Sequence, residues 1–136
     1  SAVAWWREAA QHLRQGWLVT FDYGGEVPDL LAPERTQGTL RAYSRHRVSD
    51  DLLAAPGRQD LTAHVNFTMV QAAGAAAGLQ TQSFESQGRF VTQIAARAWK
   101  PDSGFGEWLP QDNRQFQTLT HPEHLGRPFK VLVQTR

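Results

Sequence analysis

The feature that most constrains the fold is the stretch of residues 16–24, in which large apolar and β-favouring side chains follow one another without alternation. A continuous run of this kind predicts a strand buried on both faces, as in the centre of a mostly parallel α/β sheet. The run ends abruptly at Asp22, Tyr23 and two glycines. Because ligands of open α/β sheets bind outside the carboxyl ends of the strands, we expect this end to face a functional site.

Helical and extended patterns follow one another along the rest of the chain. Apolar spacing predicts a helix over residues 2–15, and Asn66 is a good N-cap for a second helix that runs up to Gly78. Weak alternation predicts a strand over residues 79–85, and the apolar tail predicts a last strand over residues 129–135. The order of elements therefore predicts an α/β fold.

Two more helices and a long connection complete this prediction. Ser86 is expected to cap a helix that reaches about Trp99, and residues 111–119 are expected to form a short one, after a loop from Pro101 to Pro110. The roughly 40 residues between the first strand and Asn66 are expected to be irregular, and connections of that length are uncommon unless they are functional.

Composition excludes several classes of function. The chain has 136 residues, enough for one domain with a core. A net charge of +1 with 20% charged residues makes no case for nucleic acid or an anionic membrane as a partner. No apolar run reaches the length of a membrane span. The absence of cysteine excludes disulfides, thiol catalysis and thiolate metal sites.

Short blocks of sequence, taken in their order and spacing, resemble a known family. They are Phe21-Asp22-Tyr23-Gly24, Gly38-Thr39-Leu40-Arg41, Arg45-His46-Arg47, Pro56-Gly57, the run from Asp60 to Phe67 and the run from Leu125 to Leu132. Together they resemble the C-terminal half of the MidA-like family of S-adenosylmethionine-dependent methyltransferases. That family includes a mitochondrial complex I assembly factor that methylates an arginine.

The resemblance implies the C-terminal half of a Rossmann-like class I methyltransferase fold. Residues 17–22 would be its fifth strand, residues 79–85 its sixth and residues 129–135 its antiparallel seventh, lying between the other two. S-adenosylmethionine would be bound by the full-length enzyme, through a glycine-rich turn after its first strand. No such turn occurs here. We therefore expect residues 1–136 to form a single partial domain, without the cofactor-binding half and binding no cofactor alone.

Five residues are candidates for the substrate site that the resemblance implies. Asp60 and His64 lie four residues apart and would share a face if the segment is helical, where they would orient a guanidinium and accept a proton. Asp22 would hold a cationic substrate group, Tyr23 would line its pocket, and His46 would contact the substrate. The alternatives are structural: Asp22 caps a turn, Tyr23 packs, and Asp60 and His64 lock the loop.

No metal site is expected. His121 and His124 form a His-Pro-Glu-His segment, but a metal site needs three or more ligands and no thiolate is present. Pro122 suits the first turn of a helix instead.

The full-length protein is therefore expected to be a methyltransferase that modifies a protein side chain, arginine by resemblance, in a role of the complex I assembly type. We expect the isolated chain to be inactive, and a bacterial cytoplasmic location rather than the mitochondrial matrix. One alternative is a non-catalytic module that pairs through its open sheet edge with the missing N-terminal half or with a second copy. Another is a small, self-standing α/β binding domain.

Overall fold

The computed structural model describes residues 1–44, 47–49, 51–98 and 109–136. The helices are α1 (Ala2–His12), α2 (Val27–Leu30), α3 (Phe67–Ala76), α4 (Gln87–Ala98) and α5 (Pro110–Thr120), with a π-helical turn at Pro122–Gly126. The strands are β1 (Trp17–Gly25), β2 (Arg41–Ser44), β3 (Arg47–Ser49), β4 (Asp60–Thr62), β5 (Val65–Asn66), β6 (Gln80–Ser86) and β7 (Phe129–Thr135). None of the helices in these ranges is long and apolar enough to cross a bilayer.

The main sheet has the strand order β5-β1-β7-β6. Strand β7 is antiparallel to both of its neighbours, β1 and β6. This confirms the predicted Rossmann-like arrangement, in which the last strand of the chain lies between the two earlier ones. Strand β5 is parallel to β1 but pairs with it only at Gly24 and Gly25. Among the residues that the structure describes, the β1 edge from Trp17 to Tyr23 therefore has no strand partner on that side.

Helices α1 and α3 cover one face of the main sheet and form the core with it. Trp6, Phe67, Val70 and Leu132 are almost fully buried and pack into one cluster. The cap of α3 is as predicted, because the Asn66 side-chain oxygen accepts a hydrogen bond from the Met69 backbone nitrogen at 3.1 Å. This core positions β1 and the segment that precedes α3.

A buried amide lies between this helical layer and the sheet. Gln134 of β7 is fully buried, and its Oε1 accepts a hydrogen bond from Trp6 Nε1 at 2.7 Å. Its Nε2 donates to the Gln71 carbonyl at 3.2 Å and to Thr81 Oγ1 at 2.8 Å. Because all three bonds are made, the polar group is accommodated in the core without an unpaired donor or acceptor.

The prediction that β1 is buried on both faces is wrong for this chain. Trp17, Val19 and Phe21 are 64%, 43% and 47% exposed, on the face opposite α1 and α3. Phe90 of α4 meets Phe21 edge-on at 5.5 Å, which covers only part of that face. An apolar run predicts a strand whose faces can be buried. It does not indicate whether residues 1–136 contain the segment that packs on each face.

The prediction that the long connection after β1 is irregular is wrong, because this segment contains a second sheet. Strand β2 pairs antiparallel with β3 on one side and with β4 on the other, in the order β3-β2-β4; we call this the small sheet. The segment from Asp60 to His64 is therefore not helical: Asp60–Thr62 is strand β4, and residues 63 and 64 lie between it and β5. Strands of three or four residues leave too little alternation for detection in the sequence.

The other element boundaries lie close to the predictions. Helix α1 ends at His12 instead of residue 15, and strand β6 is shifted by one residue. Helix α4 follows Ser86, whose hydroxyl accepts a hydrogen bond from the Arg89 nitrogen at 3.4 Å, and is described as far as Ala98. Trp99 and most of the predicted loop after it lie outside the described residues.

Candidate functional site

A cavity of about 730 Å³ opens between the small sheet and the carboxyl end of β1. We call it the acceptor cavity. Its lining residues are Tyr23, Thr39, Arg41, Tyr43, Asp60, Thr62, His64, Pro128 and Phe129. It lies where ligands of α/β sheets bind, and its size suits a large side chain or a small molecule.

The register of the small sheet supplies one wall. Arg41 lies opposite Thr62, and Tyr43 lies opposite Asp60, in the ladder between β2 and β4. Because directly opposed residues project to the same face and successive residues alternate, these four side chains form one surface toward the cavity. The Asp60 carboxylate therefore lies beside the Tyr43 ring.

The end of the main sheet supplies the other wall. Tyr23 and Phe129 are direct partners in the ladder between β1 and β7, and their rings meet at 5.7 Å, close to edge-on. The His64 ring also meets the Tyr23 ring edge-on at 5.7 Å. The two contacts fix the Tyr23 ring between an aromatic and an imidazole neighbour, as edge-to-face pairs do.

A backbone hydrogen bond holds His64 in place, and burial and nearby positive charges lower the pKa of its ring. Its nitrogen donates a hydrogen bond to Thr39 Oγ1 at 3.2 Å, and its side chain is half-buried. Burial lowers the pKa of His64 below its usual value, and the positive charges of Arg35 and Arg41 lower it further. The lowered pKa favours the neutral imidazole, in which one ring nitrogen can accept a proton.

Three of the five predicted site residues share the acceptor cavity: Tyr23, Asp60 and His64. The premise for pairing Asp60 with His64 was helical spacing, and it is wrong; both residues line the cavity, Asp60 from β4 and His64 from the segment between β4 and β5. Their chemical roles stay predictions. His46 lies outside the described residues.

Asp22 lies away from the acceptor cavity. It lines a separate cavity of about 260 Å³ beside Trp6, on the α1 side of the sheet, because adjacent strand residues project to opposite faces. Its Oδ1 accepts a hydrogen bond from the Tyr23 nitrogen at 2.8 Å. The structure therefore does not bring Asp22 and Tyr23 into one site, and substrate binding by Asp22 stays a prediction.

Three residues that line the acceptor cavity were not predicted as site residues: Arg41, Tyr43 and Thr62. The segment from Gly38 to Tyr43 alternates. Its alternation indicates which of its side chains share a face. It does not reveal that β4 pairs beside β2, and that pairing brings Asp60 to Tyr43.

Within the described ranges, no group of three or more His, Asp or Glu side chains is close enough to hold a metal ion. The His121 and His124 rings are 5.3 Å apart. His121 Nδ1 accepts a hydrogen bond from the Glu123 nitrogen at 3.3 Å, and His121 precedes the π-helical turn as its cap.

The glycines at the end of β1 do not form a cradle for S-adenosylmethionine. A Cβ at Gly24 would overlap the Val65 carbonyl and lie 2.8 Å from the Val65 nitrogen. Strand β5 can therefore pair closely with β1 here because Gly24 has no side chain. A Cβ at Gly25 would lie 3.2 Å from an Asp29 carboxylate oxygen. The space beside both glycines is occupied by the protein.

Comparisons with known proteins relate the chain to methyl transfer. A family model described as "Putative S-adenosyl-L-methionine-dependent methyltransferase" matches residues 1–85. A native crystal structure of an uncharacterized superfamily protein from Burkholderia thailandensis is 32% identical over 100% of this chain, with a TM-score of 0.83. A second crystal structure from that organism, described as a "likely methyl transferase" bound to S-adenosyl-homocysteine, is 32% identical over 100% of the chain, with a TM-score of 0.82.

The chain spans only 37% and 36% of the length of these two proteins. No curated protein matches it.

Proposed function

Because this chain belongs to that family of S-adenosyl-L-methionine-dependent methyltransferases, we propose that it is the substrate-side part of a larger enzyme that methylates a protein arginine. The observation that supports this most directly is the meeting of Tyr23, Asp60 and His64 in one cavity at the carboxyl end of β1. The rest of the enzyme supplies the cofactor, in line with the bound S-adenosyl-homocysteine in a similar protein.

The lining of the acceptor cavity suits a guanidinium group. The Tyr23, Tyr43 and Phe129 rings offer faces and edges around the space, and a cation over an aromatic face is stabilised by the ring quadrupole. The Asp60 carboxylate can accept two parallel N–H bonds from a guanidinium. Arg41 also lines the cavity, but its Nη1 donates to the Leu40 carbonyl at 2.7 Å, which holds it toward its own backbone.

His64 is the proton acceptor in this proposal. A guanidinium nitrogen that gains a methyl group must lose a proton, and the lowered pKa of His64 keeps the imidazole neutral to receive it. Asp60 orients the guanidinium so that one nitrogen faces the methyl donor. Transfer reactions of this kind depend mainly on such positioning.

The test uses the full-length enzyme, a labelled methyl donor and arginine-containing protein substrates. We expect methylarginine as the product, a loss of about 10²-fold or more in kcat for His64→Gln, and a large loss in kcat/KM for Asp60→Asn. Asp51→Asn is the matched control, because Asp51 lies outside the cavity and the amide keeps its side-chain oxygen as acceptor for the Leu53 nitrogen. Methylation of another residue type, or full activity of Asp60→Asn, would refute the proposal.

The wider role proposed is assembly of respiratory complex I, in the cytoplasm of a bacterium. The MidA-like resemblance supports the role, and the bacterial source of the similar structures supports the location. Deletion of the gene should lower complex I activity, and only the active enzyme should restore it. If the His64→Gln enzyme restored complex I activity, the proposed catalytic role of His64 would be contradicted. The role of the protein in complex I assembly would stand.

A second candidate function is pairing through the β1 edge, with the remainder of the full-length protein or with a second copy of this chain. The specific observation is that, within the described ranges, residues 17–23 of β1 have β7 on one side and no strand on the other. Unpaired strand edges recruit further strands. Light scattering of the isolated chain should show a dimer or larger species, and a stable monomer would remove this candidate.

A further inference from the structure

We propose that a basic cavity beside the acceptor cavity binds the carboxylate of an aspartate or glutamate in the substrate protein, close in sequence to the methylated arginine. The inference rests on the proposed function and adds a substrate preference to it. It is carried by a second cavity that adjoins the first and by the charges that line it.

The basic cavity has a volume of about 550 Å³. Its lining residues are Tyr23, Gly24, Gly25, Pro28, Asp29, Leu30, Ala32, Arg35, His64, Arg127, Pro128 and Lys130. It shares Tyr23, His64 and Pro128 with the acceptor cavity, so these three side chains form a common wall. Because the cavities adjoin, a peptide with one side chain in the acceptor cavity can place a neighbouring side chain in the basic cavity.

Positive charge predominates around this space. Arg35, Arg127 and Lys130 line it, against the single carboxylate of Asp29. Asp22 lies opposite Lys130 in the ladder between β1 and β7 but does not line this cavity. In the described part of the chain, none of the three cations forms an ion pair with a carboxylate. Their donors are available to a ligand, apart from the bond from Lys130 Nζ to the Arg127 carbonyl at 3.0 Å.

The positive charge of the basic cavity also acts on His64, which lines both cavities. The positive charge of Arg35 is one of the causes that lower the pKa of His64, after burial of the ring. The two cavities also differ in charge: the acceptor cavity has one carboxylate, Asp60, to one guanidinium, whereas the basic cavity has a net excess of cations. An anionic side chain next to the arginine of the substrate would complement the positive charge of the basic cavity, because complementary potentials align an incoming ligand.

A carboxylate could also come from the amino-acid part of S-adenosylmethionine, and the experiment separates the two sources. Fluorescent peptides with one arginine are compared in pairs that differ by glutamate or glutamine within three residues of it. Binding to the full-length enzyme is measured by anisotropy. S-adenosyl-homocysteine binding to each enzyme variant is measured by calorimetry. Binding is thus read without methyl transfer, so a failure of the proposed reaction appears separately, as absent methylarginine.

Two enzyme variants test the cavity. Arg35→Gln and Lys130→Gln each remove one cation; Arg35 is exposed, so its replacement leaves the core intact. Arg58→Gln is the matched control, because Arg58 is exposed and does not line the cavity. We expect the glutamate peptide to bind roughly threefold to tenfold more tightly than its glutamine twin, and this advantage to disappear in the two cavity variants only.

Added salt should reduce the same advantage, because exposed charges are screened. Equal binding of the two peptides by the unmodified enzyme would overturn the inference, even if methylarginine is formed. So would cavity variants that weaken S-adenosyl-homocysteine binding while keeping the glutamate preference, since the carboxylate would then belong to the cofactor.

Discussion

Gly74 in helix α3 lies against the buried amide of Gln134, and Gly74→Ala should destabilise the fold. A Cβ at this position would overlap Gln134 Oε1 and lie 2.7 Å from its Cδ and 2.9 Å from its Nε2. Both residues are buried, so Gln134 cannot move aside without giving up its partners. Those partners are Trp6 Nε1 at 2.7 Å, the Gln71 carbonyl at 3.2 Å and Thr81 Oγ1 at 2.8 Å.

The expected magnitude follows from two opposing effects. Alanine is the better helix former, and in a helix interior it stabilises by about 1 kcal/mol relative to glycine. Displacement of Gln134 breaks its bonds to Gln71 and Thr81, each worth about 1 kcal/mol net, and leaves the buried Trp6 indole N–H unpaired at a cost of about 1–3 kcal/mol. We therefore expect Gly74→Ala to lower the free energy of unfolding by about 2 kcal/mol or more.

Equilibrium urea unfolding, followed by tryptophan fluorescence and by circular dichroism, measures this change. Ala75→Gly, on the exposed side of the same helix, calibrates helix propensity and should cost about 1 kcal/mol. In a Gln134→Ala background the obstacle is gone, so Gly74→Ala should there become neutral or stabilising. An increase in the free energy of unfolding for Gly74→Ala alone would show that propensity outweighs packing, and would refute the reasoning.

Three further predictions concern the site and its support. Gly24→Ala should disrupt the pairing of β1 with β5, because the new Cβ would lie 2.8 Å from the Val65 nitrogen, and faster amide hydrogen exchange in β5 would show it, whereas unchanged exchange would contradict it. Asn66→Ala should lower the free energy of unfolding by about 1 kcal/mol, because α3 loses its N-cap. Asn66→Asp keeps a capping oxygen and should leave the free energy of unfolding unchanged. A methylation rate that requires neutral His64 should be full at pH 7 and fall as the pH drops through its pKa, which lies below the usual 6.5. Arg41→Gln should raise that pKa and move the acid limb of the pH–rate profile to higher pH, and an unmoved limb would exclude His64 as its source.

The main sheet was predictable because each of its long strands has a local signal. Residues 17–22 and the tail at 129–135 are rich in apolar side chains, and residues 79–85 alternate weakly. The order of these strands came from the family resemblance, and the structure confirms it. The exposure of one face of β1 was not predictable. Apolar side chains indicate that a face can be buried, but they do not identify the segment that buries it.

The acceptor cavity was predictable only in part. The position of Tyr23 followed from its place at the end of a strand, and Asp60 and His64 followed from a block of family-like sequence. Tyr43 was missed because its opposition to Asp60 depends on the register between β2 and β4, which are separated in the chain by β3 and by the loop after it. Pairing over such a distance leaves no local pattern.

By itself, the sequence determined the long elements and the family, because periodicity, caps and motif spacing are local properties of the chain. Only the tertiary structure decided which side chains meet. It separated Asp22 from Tyr23, although they are neighbours, because consecutive strand residues project to opposite faces. It placed Tyr23, Asp60 and His64 in one cavity because the end of β1, strand β4 and the residues after β4 line the same space. The chemistry of the site depends on those long-range contacts.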